Sequence, residues 1–393
     1  MKYVFLVPDG AADYPLEELG NKTPLQVSKT PNMDFIARNG ISGTVNTIPA
    51  GMSPGSDVAN LSLLGYDPAK YYTGRGPLEA ANMDVCLGED EVAFRCNLVT
   101  VSNGILLDYS AGHISSEEAK ILIRHLNEEI GTKDTCFYPG VSYRHLMVAK
   151  GDYSKVACIP PHDIAGQPIN KNLPKGKNSS SLRELMFSSA EIFEKDMVNS
   201  RRRKMNKNPA NMIWLWGQGI VPSMPSFYEK YGVRGGVISA VDLIKGIGRY
   251  LDLKIIDVPG ATGYFDTDYQ AKADYALNAL EDLDFIFVHV EAPDEAGHIG
   301  DIKEKIKAIE QFDSKVVGTM IEGLKNSEYR ILVSPDHFTP ISVKTHVGEP
   351  VPFAIYQAGI ESNGVKSFDE LAAKSSSRYL DKGYQLMDLF IKK

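Results

Sequence analysis

The sequence predicts an α/β fold built around a largely parallel sheet flanked by helices, and three observations carry that expectation. Short, almost unbroken apolar runs recur along the chain, helical periodicity fills stretches between them, and acids and histidines directly follow three of the runs. Apolar runs without alternation belong to strands covered on both faces, as in parallel sheets packed between helices. At 393 residues the chain exceeds what one hydrophobic core usually supports, so two domains are expected.

The first run, YVFLV at 3–7, ends in PDG and delivers Asp9 to the carboxyl end of a strand. In GMSPGSDVANLSLLGYDP, residues 51–68, a turn of Gly51, Pro54 and Gly55 leads Ser56 and Asp57 onto a run in which Val58, Leu61 and Leu64 keep helical spacing. A hydroxyl at a helix start ordinarily caps an orphan backbone N–H, and the local sequence leaves cap and nucleophile both open for Ser56. SSEEAKILIRHLNEEIG, 115–131, predicts a helix with a Ser115 to Glu118 capping box and a stop at Gly131. MIWLW at 212–216, FIFVHV at 285–290 and RILVS at 330–334 read as further strands of the same sheet. Over 301–324, Ile302, Ile306, Ile309, Phe312, Val316 and Met320 hold a helical period. Strand alternating with helix implies the parallel sheet.

The third run is followed by EAPDEAGH, with Asp294 and His298 four apart, so that on a helical turn both point to one side and can grip one ion. The fourth is followed by PDH, with Asp336 and His337, and His346 returns from a loop in KTHVGEPVP. Ligands of open α/β sheets gather beyond the carboxyl ends of the strands. Three strands thus bring acids and imidazoles to one edge, and mixed carboxylate and imidazole donors suit manganese or zinc better than calcium.

The balance of 42 Lys and Arg against 50 Asp and Glu gives a net charge of −8. This argues against bulk binding to nucleic acid or an anionic membrane, so an anionic substrate needs a local cationic pocket. MKYVFLVPDG is too short for a signal-peptide core or a membrane span. Cys86, Cys96, Cys136 and Cys158 form no C-x-x-C pair, which fits a reducing cytoplasm.

VPDG, PGSDVANLSLLGYDP, TGRGPLEA, FRCNLVT, YRHLMV, EAPDEAGH and SPDH together resemble the archaeal-type cofactor-independent phosphoglycerate mutases of the alkaline phosphatase superfamily, along the whole chain. The resemblance implies an isomerase of glycolysis and gluconeogenesis that interconverts 3-phosphoglycerate and 2-phosphoglycerate through a phosphoserine. It needs two divalent ions, manganese first with zinc or magnesium as alternatives, and no 2,3-bisphosphoglycerate. It implies Asp294, His298 and His346 as ligands of one ion, and Asp9, Ser56, Asp336 and His337 as ligands of the other, with Ser56 the nucleophile. It also implies an inserted, smaller α+β domain at about 89–207 between the two parts, 1–88 and 208–393, of the catalytic domain. In the insert, His113 is a pocket histidine and Asp163 the acid that moves a hydroxyl proton, with His162 as its alternative. Arg95, Arg144, Arg202 and Lys245 are the candidates to hold a phosphorylated, carboxylated substrate; SRRRK at 200–204 leaves open which of Arg201, Arg202 and Arg203 faces the pocket. Arg75 instead shapes a turn.

Two positions depart from the pattern: Asn60 stands where many relatives carry histidine, and Trp216 where many carry arginine. A homoserine kinase-like phosphotransferase and a metal-dependent phosphomonoesterase therefore stand as alternatives on the same core. No G-x-x-x-x-G-K-[ST] phosphate loop supports a kinase, and an insert that closes over the site excludes the water a phosphatase needs.

Overall fold

The first apolar run forms strand Lys2–Pro8, and it pairs in parallel on both sides, with Val4 opposite Ile286 of Phe285–Val290 and opposite Ile331 of Tyr329–Val333. Val4, Phe5, Leu6 and Val7 are fully buried, which is why the run does not alternate. The computed structural model describes residues 1–153 and 155–391. The chain divides into two compact units, Met1–Tyr72 with Met224–Lys393, and Thr73–Ser223.

Among the described residues, the first unit holds a sheet of eight strands in the order Tyr379–Leu380, Ile41–Val45, Val351–Gln357, Tyr329–Val333, Lys2–Pro8, Phe285–Val290, Gly235–Ile238, Lys254–Ile255. The five strands from Tyr329–Val333 to Lys254–Ile255 run parallel, and Val351–Gln357 and Ile41–Val45 pair antiparallel beside them. Side chains on one face, such as Val4, Leu6, Ile286, Val288 and Ile331, join helical residues including Ile36, Ile309 and Phe312 in one core. The periodic stretch 301–324 is helical but not uniform: Ile302–Gln311 passes into a π-helical turn at Phe312–Val317 before Gly318–Leu324.

MIWLW, expected in the parallel sheet, belongs to the other unit. Strand Met212–Gly219 runs antiparallel to Glu91–Ser102, with Cys96 opposite Leu215 and Leu98 opposite Ile213. A continuous apolar run reports burial on both faces and does not say which sheet buries it. Glu91–Ser102 also pairs with Arg144–Lys150 and Ile105–Asp108, and Thr135–Tyr138 lies on the far side of Arg144–Lys150. The compact unit, Thr73–Ser223, is wider at both ends than 89–207. Its core gathers Phe94, Leu122, Met186, Phe193 and Trp214. Ser115 caps helix Ser116–Ile130 by accepting from the Glu118 N–H, and Ala119, Leu122, Ile123 and Leu126 form its buried face.

Among the described residues, no helix is long and apolar enough to cross a membrane. All four cysteines are free.

Candidate active site

Three neighbouring parallel strands of the first unit end at the same edge, and the residues just beyond each strand supply the site. Asp9 lies past Lys2–Pro8, Asp336 and His337 lie past Tyr329–Val333, and helix Ala292–Ile299, which carries Asp294 and His298, lies past Phe285–Val290. Asp9, Asp294, Asp336 and His337 are all buried. Gly10 has φ +59, and a Cβ there would lie 2.5 Å from Asp294 Oδ1 and from Thr339 Oγ1, so only glycine lets the turn pass this close.

Ser56 does not cap its helix. The helix is Ser56–Leu63 with Gly55 at the N-cap, and the Ser56 hydroxyl lies 3.1 Å from His337 Nε2. The same nitrogen is 3.4 Å from Asp9 Oδ1 and 3.4 Å from Asp336 Oδ2. A second cluster adjoins it: His298 Nε2 is 3.2 Å from Asp294 Oδ2 and 3.0 Å from His346 Nε2, which is 3.4 Å from Asp294 Oδ1. Asn60 donates to the Ser56 carbonyl and to Asp336 Oδ2, both at 2.8 Å, tying the helix start to the loop after the fourth run.

The structure adds a residue that the sequence does not single out. His289, inside FIFVHV, is fully buried with Nε2 3.3 Å from Asp9 Oδ2 and Nδ1 3.3 Å from Glu291 Oε1. Glu291 also takes the ammonium of buried Lys272 at 3.0 Å and the Ser239 hydroxyl at 3.0 Å. The available signal was a lone imidazole within an otherwise apolar strand, two residues before an acid. Burial alone would discharge His289, but the Asp336 and Glu291 carboxylates outweigh it and push the imidazole up to about 9.

These donors fit divalent ions. Atoms bound tetrahedrally to one ion at about 2.1 Å sit about 3.4 Å apart, and the two clusters show spacings of 3.0–3.4 Å. Donor atoms of Asp294, His337 and His346 converge within 4.8 Å of one another, as do those of Asp9, His289 and Asp336. Asp9 Oδ1 is buried without a hydrogen-bond partner. Burial first, and then the charges of Asp336 and Asp294, push the Asp9 carboxyl well above its ordinary range, the stress that a bound cation relieves. His298 offers Nδ1 to the Lys344 carbonyl at 3.1 Å; a carbonyl can only accept, so Nδ1 carries the hydrogen and Nε2 faces the cluster.

Within the second unit, most of the insert residues gather along a line of rings. His113 meets Tyr143 edge-on, Tyr143 meets Tyr109, Tyr109 meets His162, and His162 meets Trp216 at 5.3 Å. Asp163 is exposed and 3.6 Å from His162. Trp216 stands under two cations, with Arg95 at 4.4 Å and Arg75 at 5.7 Å from its ring, and Arg95 also pairs with Glu79 at 2.9 Å. Arg144 lies over Tyr143.

Arg202 is a correction. Its guanidinium is buried and committed to the Asn208 carbonyl at 2.8 Å, Glu118 at 2.5 Å and the Ala111 carbonyl at 2.6 Å, so it braces the fold and offers a substrate nothing. Arg201 and Arg203 are exposed. Lys245 belongs to the first unit, on helix Asp242–Tyr250, where it pairs with Asp257 at 2.7 Å.

A serine hydroxyl held against an imidazole among buried carboxylates, at the carboxyl edge of a parallel sheet, defines an α/β enzyme site. Similarity to known proteins gives its family. The family model described as 2,3-bisphosphoglycerate-independent phosphoglycerate mutase matches residues 37–199. Proteins of that name from Methanosarcina mazei and Methanosarcina acetivorans are 54% and 53% identical to the chain, each over the full length of both. A Geobacter sulfurreducens protein named as a probable member is 51% identical, again over the full length of both. Among solved structures, a protein from Pyrococcus horikoshii matches with a TM-score of 0.84 at 32% identity, over 99% of this chain and 96% of that one. The cofactor-independent phosphoglycerate mutase of Thermoplasma acidophilum matches with a TM-score of 0.68 at 28% identity, over 100% and 99%. The chain belongs to the 2,3-bisphosphoglycerate-independent phosphoglycerate mutases, a family of isomerases.

Proposed function

We propose that the protein interconverts 3-phosphoglycerate and 2-phosphoglycerate through a phosphoserine on Ser56, with two divalent ions, manganese first among them, and without 2,3-bisphosphoglycerate. The observation that carries this reading is the Ser56 hydroxyl, uncommitted to its helix and 3.1 Å from His337 Nε2 among the Asp9 and Asp336 carboxylates. Asp294, His298 and His346 would hold one ion, and Asp9, Ser56, Asp336 and His337 the other. Bound there, such ions lower the pKa of the serine hydroxyl and offset the charge of the phosphoryl oxygens.

The chain's own residues do the rest. Ser56 Oγ, as its alkoxide, attacks phosphorus and breaks its bond to one glycerate oxygen, which takes the proton of Asp163 as the phosphoserine forms. The start of helix Ser56–Leu63 would bring a positive dipole end near the added negative charge. The bound glycerate turns, its other hydroxyl gives its proton to Asp163, and that oxygen attacks the phosphoserine and restores Ser56. Arg95 and Arg144 hold the anionic ends of the substrate through guanidinium forks, and His113 orients it. Lys245 joins them by exchanging its bond to Asp257 for one to substrate. The small phosphorylated acid is the only partner this chemistry requires, and the cytoplasm is where the reading locates it.

The test is phosphorus NMR of manganese-loaded protein with 3-phosphoglycerate and no bisphosphate added. The reading expects 2-phosphoglycerate to appear. Free phosphate alone overturns it in favour of a phosphomonoesterase, and phosphohomoserine formed from ATP and homoserine overturns it in favour of a kinase.

A further inference from the structure

Thr339 lies two residues beyond His337, is fully buried, and touches both donor clusters with one hydroxyl. Its Oγ1 donates to Asp294 Oδ1 and lies 3.1 Å from His337 Nδ1. A hydroxyl has one hydrogen. A carboxylate can only accept, so that hydrogen goes to Asp294, and the contact with His337 requires a hydrogen on Nδ1. The Nε2 lone pair is then left facing Ser56, Asp9 and Asp336. One side chain thus fixes which nitrogen of His337 is free and, through Asp294, ties that choice to the other cluster.

The hydroxyl is itself held. The Thr339 carbonyl accepts from the buried ammonium of Lys305 at 2.8 Å, which also pairs with Asp13 at 2.8 Å, and the Thr339 N–H donates to the Ala12 carbonyl. Helix Ala292–Ile299 packs so closely that a Cβ at Gly297 would sit 2.4 Å from the Thr339 carbonyl oxygen. A backbone pinned at three points gives the hydroxyl little freedom to choose other partners.

We infer that Thr339 is a positioning residue that sets the His337 tautomer and couples the two donor clusters, so that both are ready for metal together. The inference rests on the two-ion reading proposed for Ser56 and its neighbours. Its test compares wild type, Thr339→Ser and Thr339→Val by manganese titration calorimetry and metal analysis, with the melting of each metal-free protein as the control on folding. Wild type should take two ions per chain, Thr339→Ser should bind within about threefold of it, and Thr339→Val should weaken binding in both clusters by about 10–100-fold. Nitrogen-15 spectra of the metal-free wild-type histidines give a readout that needs no variant: the His337 ring should carry its hydrogen on Nδ1. Wild-type metal affinity in Thr339→Val, or a His337 ring protonated on Nε2 alone, overturns the inference while leaving the two-ion reading intact. A wild-type protein that binds no manganese overturns that reading and this inference with it.

Discussion

At the scale of single residues, chemistry was legible where reactive side chains follow strands. Asp9, Asp294, His298, Asp336 and His337 stood out because they follow strand ends, in a turn or on a short helix, and the fold brings them within a few ångströms of one another. His289 did not stand out, because one imidazole in an apolar strand reads equally as packing, and Arg202 misled because a basic run does not disclose which guanidinium turns inward. Ser56 gives the sharpest residue-scale expectation. Gly55, not Ser56, is the N-cap, so Ser56→Ala should change stability by less than about 0.5 kcal/mol yet lower turnover by ~10³-fold or more through loss of the nucleophile. Turnover alongside melting of the variant checks this, and mass spectrometry of the quenched wild type should find phosphate within residues 51–68. A variant that turns over like wild type would refute the role. Glu370 offers a second expectation, away from the metal donors. Burial pushes its carboxyl up to about 7 from an ordinary 4.5, against hydrogen bonds from the Thr23 hydroxyl and the Asp13 N–H that favour the ionised form. An acid with a raised folded value binds its proton more tightly when folded, so its stabilising contribution is complete below about pH 4.5 and is lost as pH rises through about 7. Glu370→Gln cannot ionise, so its melting temperature should climb relative to wild type between pH 5 and 7.5, by the equivalent of about 2 kcal/mol, and then level off. A difference that does not vary with pH would contradict the assignment.

At the scale of elements, the apolar runs and the helical period located strands and helices well, and two things escaped because they depend on distant partners. Met212–Gly219 found its strand neighbour in Glu91–Ser102, a pairing that no feature of MIWLW encodes. Ile302–Leu324 kept its period in sequence but contains a π-helical turn, and Asp313 within that turn explains its placement. Asp313 accepts from the Met33 N–H at 2.7 Å, the Asn32 N–H at 3.3 Å and the Asn32 side-chain amide at 2.9 Å. These N–H groups open helix Pro31–Asn39, whose own N-cap residue, Thr30, makes no side-chain cap bond. The π turn therefore carries a cap for another helix, a device common where a helix must aim one side chain. Asp313→Ala should cost about 2–3 kcal/mol by orphaning buried donors, whereas Asp313→Asn, which keeps the bond to Met33, should cost less than half of that. Urea unfolding of both variants checks the order, and equal losses would show that packing of the turn, not the cap, is what matters.

At the scale of the whole molecule, the sequence supported two domains by its length and by its resemblance to a family with an insert, but the limits of the second unit depended on strand pairing and not on any change of composition. The chain leaves the first unit after Tyr72 and returns to it at Met224, so the two parts of the first unit are joined chiefly by their shared sheet. All seven residues proposed as donors, Asp9, Ser56, Asp294, His298, Asp336, His337 and His346, lie in that first unit, and they come from both of its parts. Bound metal should therefore act as a clasp between residues 1–72 and 224–393, adding stability as RT ln(1 + [L]/Kd), about 4 kcal/mol at a thousandfold excess over Kd. Its removal should be felt unevenly. Hydrogen exchange of the full chain, followed by mass spectrometry with and without chelator, should show faster exchange in Lys2–Pro8, Phe285–Val290 and Tyr329–Val333 once metal is gone. Glu91–Ser102, Arg144–Lys150 and Met212–Gly219, which pair with one another and carry none of the donors, should keep their protection. Restoring manganese should reverse the change in the first set alone. Uniform loss across both sets would mean that the chain unfolds as one cooperative body, and no loss in either would remove the clasp altogether.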